Sequence, residues 1–146
     1  NYLMTNIQKV SILALRVTMG WMFFWAGITK ILNPEWSAIG YLSGAKNFNQ
    51  LFEYLSSPNI LPIVNFVNEW GLALLGVSLI LGVLVNISIP LGILLMVLYY
   101  LPLGFPAPNA HSYIVDEHII YIFSLALLWV FGSGNVWSVS RIWRSR

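Results

Sequence analysis

Residues 62–105 read PIVNFVNEWGLALLGVSLILGVLVNISIPLGILLMVLYYLPLGF, and Glu69 is the one charged side chain among them. A helix needs about 20 apolar residues to cross about 30 Å of hydrocarbon. This stretch is long enough for two crossings, Pro62 to Val85 and Ile87 to Phe105, joined by a tight turn around Asn86. Lipid admits only helices and closed barrels, and period-2 alternation is absent, so the two runs are read as a helical hairpin. Pro90 would fall in the first turn of its second helix, where a missing N–H costs little. Two further apolar runs, Val10 to Leu32 and His118 to Val139, flank the hairpin. The expectation is an all-α integral membrane four-helix bundle, one domain over residues 1–146, with spans at about 10–32, 62–85, 87–105 and 118–139.

Composition supports this reading and excludes others. The chain is 58% hydrophobic and 8% charged, whereas a soluble domain carries about 25% charged residues. It has no cysteine, which removes disulfides, zinc fingers, iron–sulfur clusters and thiol nucleophiles together. The net charge is +2, but the bases are not clustered with interleaved aromatics, so no nucleic-acid partner is expected. Lys9, Arg141, Arg144 and Arg146 fall on one side of the predicted spans, and Lys46 lies among Glu35, Glu53, Asp116 and Glu117 on the other. The excess of bases predicts a multi-pass plasma-membrane protein with both termini cytoplasmic. The sequon Asn86-Ile87-Ser88 then lies in an inner turn against the bilayer and is expected to stay unmodified.

The segment from Asn33 to Leu61 exceeds the roughly 12–15 residues beyond which a structureless connection is uncommon. Within it Phe48, Leu51, Phe52 and Leu55 recur at i, i+3, i+4 and i+7 between polar residues. That spacing predicts a short interfacial helix in the first outer loop, with Trp36 and Tyr41 as further anchors. It would serve either as part of a ligand site or as a lid that only packs on the bundle.

A charge inside a span costs at least about 2.5 kcal/mol on insertion scales, so each one needs a reason. Arg16, Gly20, Phe23, Gly27 and Lys30 fall on one face of the first span, and small residues on such a face let helices approach closely. This face is expected to look into the bundle, either as a functional stripe or as a packing seam. At 1.5 Å per residue, Lys30 and Glu69 lie at similar heights near the outer ends of their spans, while Arg16 is much deeper. Lys30 and Glu69 can therefore meet, as part of a site or as a structural ion pair. Asp116 and His118 head the last span at that same level, where a protonatable group suits proton delivery or anion binding, and Asp116 can equally cap the helix.

His111 and His118 are spaced i, i+7. On a helix they would face the same way, so they cannot clamp one haem, and no third ligand cluster accompanies them. With no P-loop and no G-x-G-x-x-G, no haem, metal or flavin is expected. The 7 Trp, 7 Tyr and 8 Phe mostly read as packing or lipid-facing residues. A minority, among them Trp25 and Tyr99, are candidates for a flat-ring pocket, with Tyr99 or His118 donating to a quinone oxygen.

The runs Leu15-Arg16-Val17-Thr18-Met19-Gly20, Trp25-Ala26-Gly27-Ile28-Thr29-Lys30-Ile31-Leu32-Asn33-Pro34, Asn68-Glu69-Trp70-Gly71, Asp116-Glu117-His118-Ile119-Ile120-Tyr121 and Gly132-Ser133-Gly134 together resemble the DoxD/DoxX family over nearly the whole chain. The resemblance is closest to the DoxD branch, the membrane subunit of thiosulfate:quinone oxidoreductase in sulfur-oxidising archaea. It implies an oxidoreductase that converts thiosulfate to tetrathionate outside the cytoplasm and passes the electrons to membrane quinone. It also implies a DoxA-type small subunit as partner, with a terminal oxidase or other respiratory subunits beyond it. On that reading Lys30 and His118 would neutralise the thiosulfate dianion, and Glu69, Asp116 or His118 would carry protons. Arg16, Trp25 and Tyr99 would bind quinone. The competing expectation is a non-catalytic accessory or structural subunit of a respiratory membrane complex. A small-solute transporter fits less well, since neither an inverted repeat nor a broken midplane helix is evident.

Overall fold

A computed structural model describes residues 4–104 and 111–139, and all regular elements among them are helical. They are α1 (Asn6–Ile31), α2 (Ile39–Ser43), α3 (Asn49–Leu55), α4 (Leu61–Leu81), α5 (Val85–Tyr100) and α6 (Glu117–Val130), with 3-10 turns at Leu101–Leu103 and Ser133–Asn135. The expected charges Arg141, Arg144 and Arg146, and the expected end of the third span at Phe105, lie outside the described residues.

Local chemistry sets the helix ends. Thr5 opens α1 with a reciprocal cap: its hydroxyl accepts from Gln8 N at 3.3 Å, and its own N–H donates to Gln8 Oε1 at 2.8 Å. Pro62 stands in the first turn of α4, where its missing N–H leaves no bond broken. At the far end Gly82 takes φ +70°, the left-handed geometry that ends helices. The turn is therefore at Gly82-Val83-Leu84, earlier than expected, and Asn86 already belongs to α5. Pro90 consequently lies inside α5 rather than in its first turn.

Three elements are long and apolar enough to cross a bilayer: Asn6–Ile31, Leu61–Leu81 and Val85–Leu103. The expected fourth span, 118–139, is not one helix. α6 has 14 residues, about 21 Å at 1.5 Å per residue, and stops where Gly132 enters the left-handed region at φ +59°. The apolar run breaks at Gly132-Ser133-Gly134-Asn135, where the chain turns into the 3-10 turn Ser133–Asn135.

α1 packs along α4, α5 packs along α6, and α4 touches α5. Met19 and Phe23 from α1, Leu72, Leu75 and Leu79 from α4, Ile89 and Met96 from α5, and Leu125 and Leu128 from α6 fill the space between them. The outward faces are apolar too, with Phe66, Leu74, Leu91, Phe123 and Val130 exposed, as expected of helices whose solvent is lipid. At one end of this core α2 and α3 form a second cluster: Ala38, Leu42 and Phe52 are buried together against Leu61 and Val64 of α4 and Leu101. The predicted loop helix is thus present as α3, although Phe48 and Leu51 of its expected apolar face are exposed, and α2 accompanies it.

Candidate functional site

Between the α2–α3 cap and the long helices lies a cavity of about 450 Å³, lined by apolar side chains together with Lys30, Trp36, Tyr41, Asn68 and Tyr99. Concave, mostly apolar space with a few convergent polar groups is the usual form of a small-molecule site. Each polar group arrives from a different element. Lys30 comes from the last turn of α1, Asn68 from α4, Tyr99 from the end of α5, Tyr41 from α2, and Trp36 from the strand-free link before it.

Lys30 Nζ donates to Ala26 O at 3.0 Å and sits 5.3 Å from the centre of the Trp36 ring, a cation–π distance. The Asn68 amide donates to Val64 O at 2.7 Å and accepts the Tyr99 hydroxyl on its Oδ1. Tyr41 donates its hydroxyl to the Tyr99 carbonyl and packs edge-on against the Tyr99 ring, with centroids 5.6 Å apart. Burial first, then the nearby Asp116 and Glu117 carboxylates, pushes the Tyr41 hydroxyl up to about 12, because each disfavours a phenolate.

The other face of Tyr99 stacks on His118, with centroids 5.6 Å apart and an interplanar angle of 13°. Asp116 holds this imidazole at Nδ1 through Oδ2 at 2.6 Å, which leaves Nε2 as the ring's other nitrogen. Its Oδ1 accepts the N–H groups of His118 and Ile119 at 3.1 and 3.3 Å. Asp116 is therefore both the α6 N-cap and the orienter of His118. Tyr121 and Phe23 extend the ring series inward, at 6.2 Å from His118 and 6.0 Å from each other.

Of the expected site residues, the fold gathers Lys30 and Tyr99 at the cavity, with Asp116 and His118 against Tyr99. Glu69 does not pair with Lys30: the one ion pair among the described residues is His118–Asp116, and Lys30 is turned to Ala26 and Trp36. Glu69 is half-buried on α4 and has no polar partner among the described residues. Trp25 faces outward, 56% exposed and stacked on Trp21 with centroids 6.0 Å apart, away from the cavity. Arg16 belongs to the opposite end. It is 1% exposed and its guanidinium donates to the carbonyls of Ser133, of Val136 at 2.9 Å and of Trp137 at 3.2 Å. It ties down the chain that follows α6. Tyr99 donates to Asn68 and so has no proton left for a quinone oxygen. His111 lies in a turn, so it shares no helical face with His118, and no cluster among the described residues could hold a metal ion.

Asn68, Tyr41 and Trp36 are the site residues that sequence reasoning passed over. Asn68 carried a usable signal, a buried amide in an apolar run that must find partners. Tyr41 and Trp36 carried none beyond interfacial character, since their place depends on how the Asn33–Leu61 segment folds back.

The DoxX family model matches residues 11–114, which takes in Lys30, Tyr41, Asn68, Glu69 and Tyr99 and ends just before Asp116 and His118. No curated protein and no solved structure matches the chain. A match over most of the length, on a fold of long apolar helices, identifies a multi-pass membrane protein, and the chain belongs to the DoxX family.

Proposed function

We propose that this protein is the membrane subunit of a thiosulfate:quinone oxidoreductase, with the cavity under α2 and α3 receiving the quinone ring. The observation that carries the reading is the cavity itself: apolar walls, a lysine, and Tyr99, whose ring stacks on His118 outside the lining, with Asp116 behind that imidazole. The donor comes from the resemblance to the DoxD branch. The balanced reaction joins two thiosulfate dianions into tetrathionate through a new S–S bond, while one quinone takes up the two electrons and two protons to become hydroquinone.

Lys30, with two N–H groups beyond the one given to Ala26, supports an anion or a carbonyl oxygen. Asp116 holds the His118 ring so that Nε2 is free to give or take a proton. α6 would complete a four-helix arrangement, with the termini on the cytoplasmic side and thiosulfate arriving from the other. A DoxA-type small subunit is the partner, and no haem, metal or flavin in this chain enters the reading.

The test mixes purified protein, with and without its co-purifying partner, with thiosulfate and a short-chain quinone analogue. Lys30→Met and His118→Phe are expected to lower quinone reduction at least about tenfold while the complex stays assembled. Wild-type turnover in both variants removes the site. The exposed Trp21–Trp25 stack and the Phe66–Trp70 pair on the outward faces of α1 and α4 favour a second reading, an accessory subunit that docks a partner helix. That reading prevails if no preparation reduces quinone.

A further inference from the structure

The hydrogen-bond directions around the cavity are fixed, and they leave it with an uneven polarity. Asn68 Nδ2 donates to Val64 O at 2.7 Å. The flipped amide would set Oδ1 against a carbonyl oxygen, two acceptors facing each other, so Oδ1 must be the atom that meets Tyr99. An amide oxygen only accepts, and Tyr99 has one O–H, so Tyr99 donates its proton to Asn68. Tyr41 likewise gives its single proton to the Tyr99 carbonyl. Both phenols that line the cavity have thus committed their protons to the protein. What each has left is an oxygen that accepts. Lys30 is the opposite: one N–H goes to Ala26, and the others donate.

We propose that the cavity selects an aromatic ring bearing a hydroxyl over the same ring bearing a carbonyl or an ether, with Asn68 acting as the residue that sets this preference through Tyr99. The hydroxyl donates to a tyrosine oxygen, whereas a carbonyl or ether placed there meets acceptor against acceptor. This rests on the reading of the cavity as a quinone site and names the redox form that the site favours, the hydroquinone. Each tenfold by which hydroquinone binds more tightly than quinone raises the two-electron potential of the bound couple by about 30 mV. The site would therefore make its bound quinone a stronger oxidant than free quinone.

A redox-inert probe pair separates this from turnover. Wild-type protein in lipid nanodiscs is titrated calorimetrically with para-heptylphenol and with its methyl ether, and empty nanodiscs provide the partition baseline. The phenol is expected to bind roughly tenfold more tightly, the worth of one hydrogen bond in a dry site. Tyr99→Phe keeps the ring on His118 and is expected to remove most of that preference. Asn68→Leu releases the Tyr99 proton to donate into the cavity, and the preference is expected to vanish or reverse.

Equal affinity for the two probes, binding of neither, or a preference that survives Asn68→Leu and therefore does not run through Tyr99 would each overturn the proposal. A wild-type phenol preference in a protein that reduces no quinone from thiosulfate leaves the proposal standing and removes the oxidoreductase reading. Thiosulfate-driven quinone reduction without a phenol preference does the reverse.

Discussion

Gly27 and Gly76 set the distance between α1 and α4. A β-carbon at Gly27 would lie 2.3 Å from Ala73 N and 2.7 Å from Glu69 O, and one at Gly76 would lie 2.3 Å from Phe24 N. These neighbours are backbone and cannot turn aside, so the helices must separate. Gly27→Ala is expected to destabilise by about 1–3 kcal/mol, the usual cost of overpacking, read as a lower unfolding midpoint in detergent. Gly40→Ala, where nothing lies within 4 Å, should leave that midpoint unchanged. The glycine stripe was legible in the sequence because helical spacing alone places it on one face. The Lys30–Glu69 pairing inferred at the same scale did not form, because equal height on two helices does not set rotation or rotamer. Tyr41 offers a pH signature. Its hydroxyl is raised from 10.0 to about 12, so its neutral form is favoured in the fold. That contribution is complete below pH 10 and disappears as the pH climbs toward 12. A tyrosinate absorbance titration of wild type against Tyr41→Phe should show one late-titrating group missing from the variant; a group that titrates with the exposed tyrosines would refute the assignment.

Among the elements, α3 is held chiefly by one side chain. Phe52 is 2% exposed and packs with Ala38 and Leu42 over α4. Phe52→Ala is expected to cost about 3–5 kcal/mol of local packing and to speed amide hydrogen exchange across α2 and α3, while α1 and α4 exchange as before. Uniform acceleration across all helices would show instead that the cap and the long helices unfold as one unit. The i, i+3, i+4, i+7 pattern revealed α3 in the sequence, but not α2, which at five residues is too short to establish a period. The last apolar run shows the opposite failure. Its composition reads as a span, yet Gly132 in the left-handed region ends α6 early. The redirected chain has its Ser133, Val136 and Trp137 carbonyls satisfied by Arg16, a partner far away in sequence.

At the scale of the molecule, orientation in the membrane rests on few charges, and the absence of cysteine makes it directly measurable. Single cysteines at Asn86 and Glu53, both exposed, are expected to react with an impermeant maleimide from opposite sides of sealed cells, Glu53→Cys from outside and Asn86→Cys only after permeabilisation. The reverse pattern would invert the topology argued from Lys9 and the C-terminal arginines. Sequence alone determined that the chain is helical and lives in lipid, since 8% charge cannot coat a soluble surface and long apolar runs satisfy their backbone only as helices. It also put Lys30, Glu69, Trp25, Asp116 and His118 at similar heights, because depth follows from counting residues along a span, but it did not tell which of them turn toward one another. Only the tertiary structure decided that Tyr99 stacks on His118, that Asn68 takes the Tyr99 proton, and that α2 and α3 fold back to roof the cavity. These are contacts between segments distant in the chain, fixed by packing and hydrogen-bond direction, and no local periodicity encodes them.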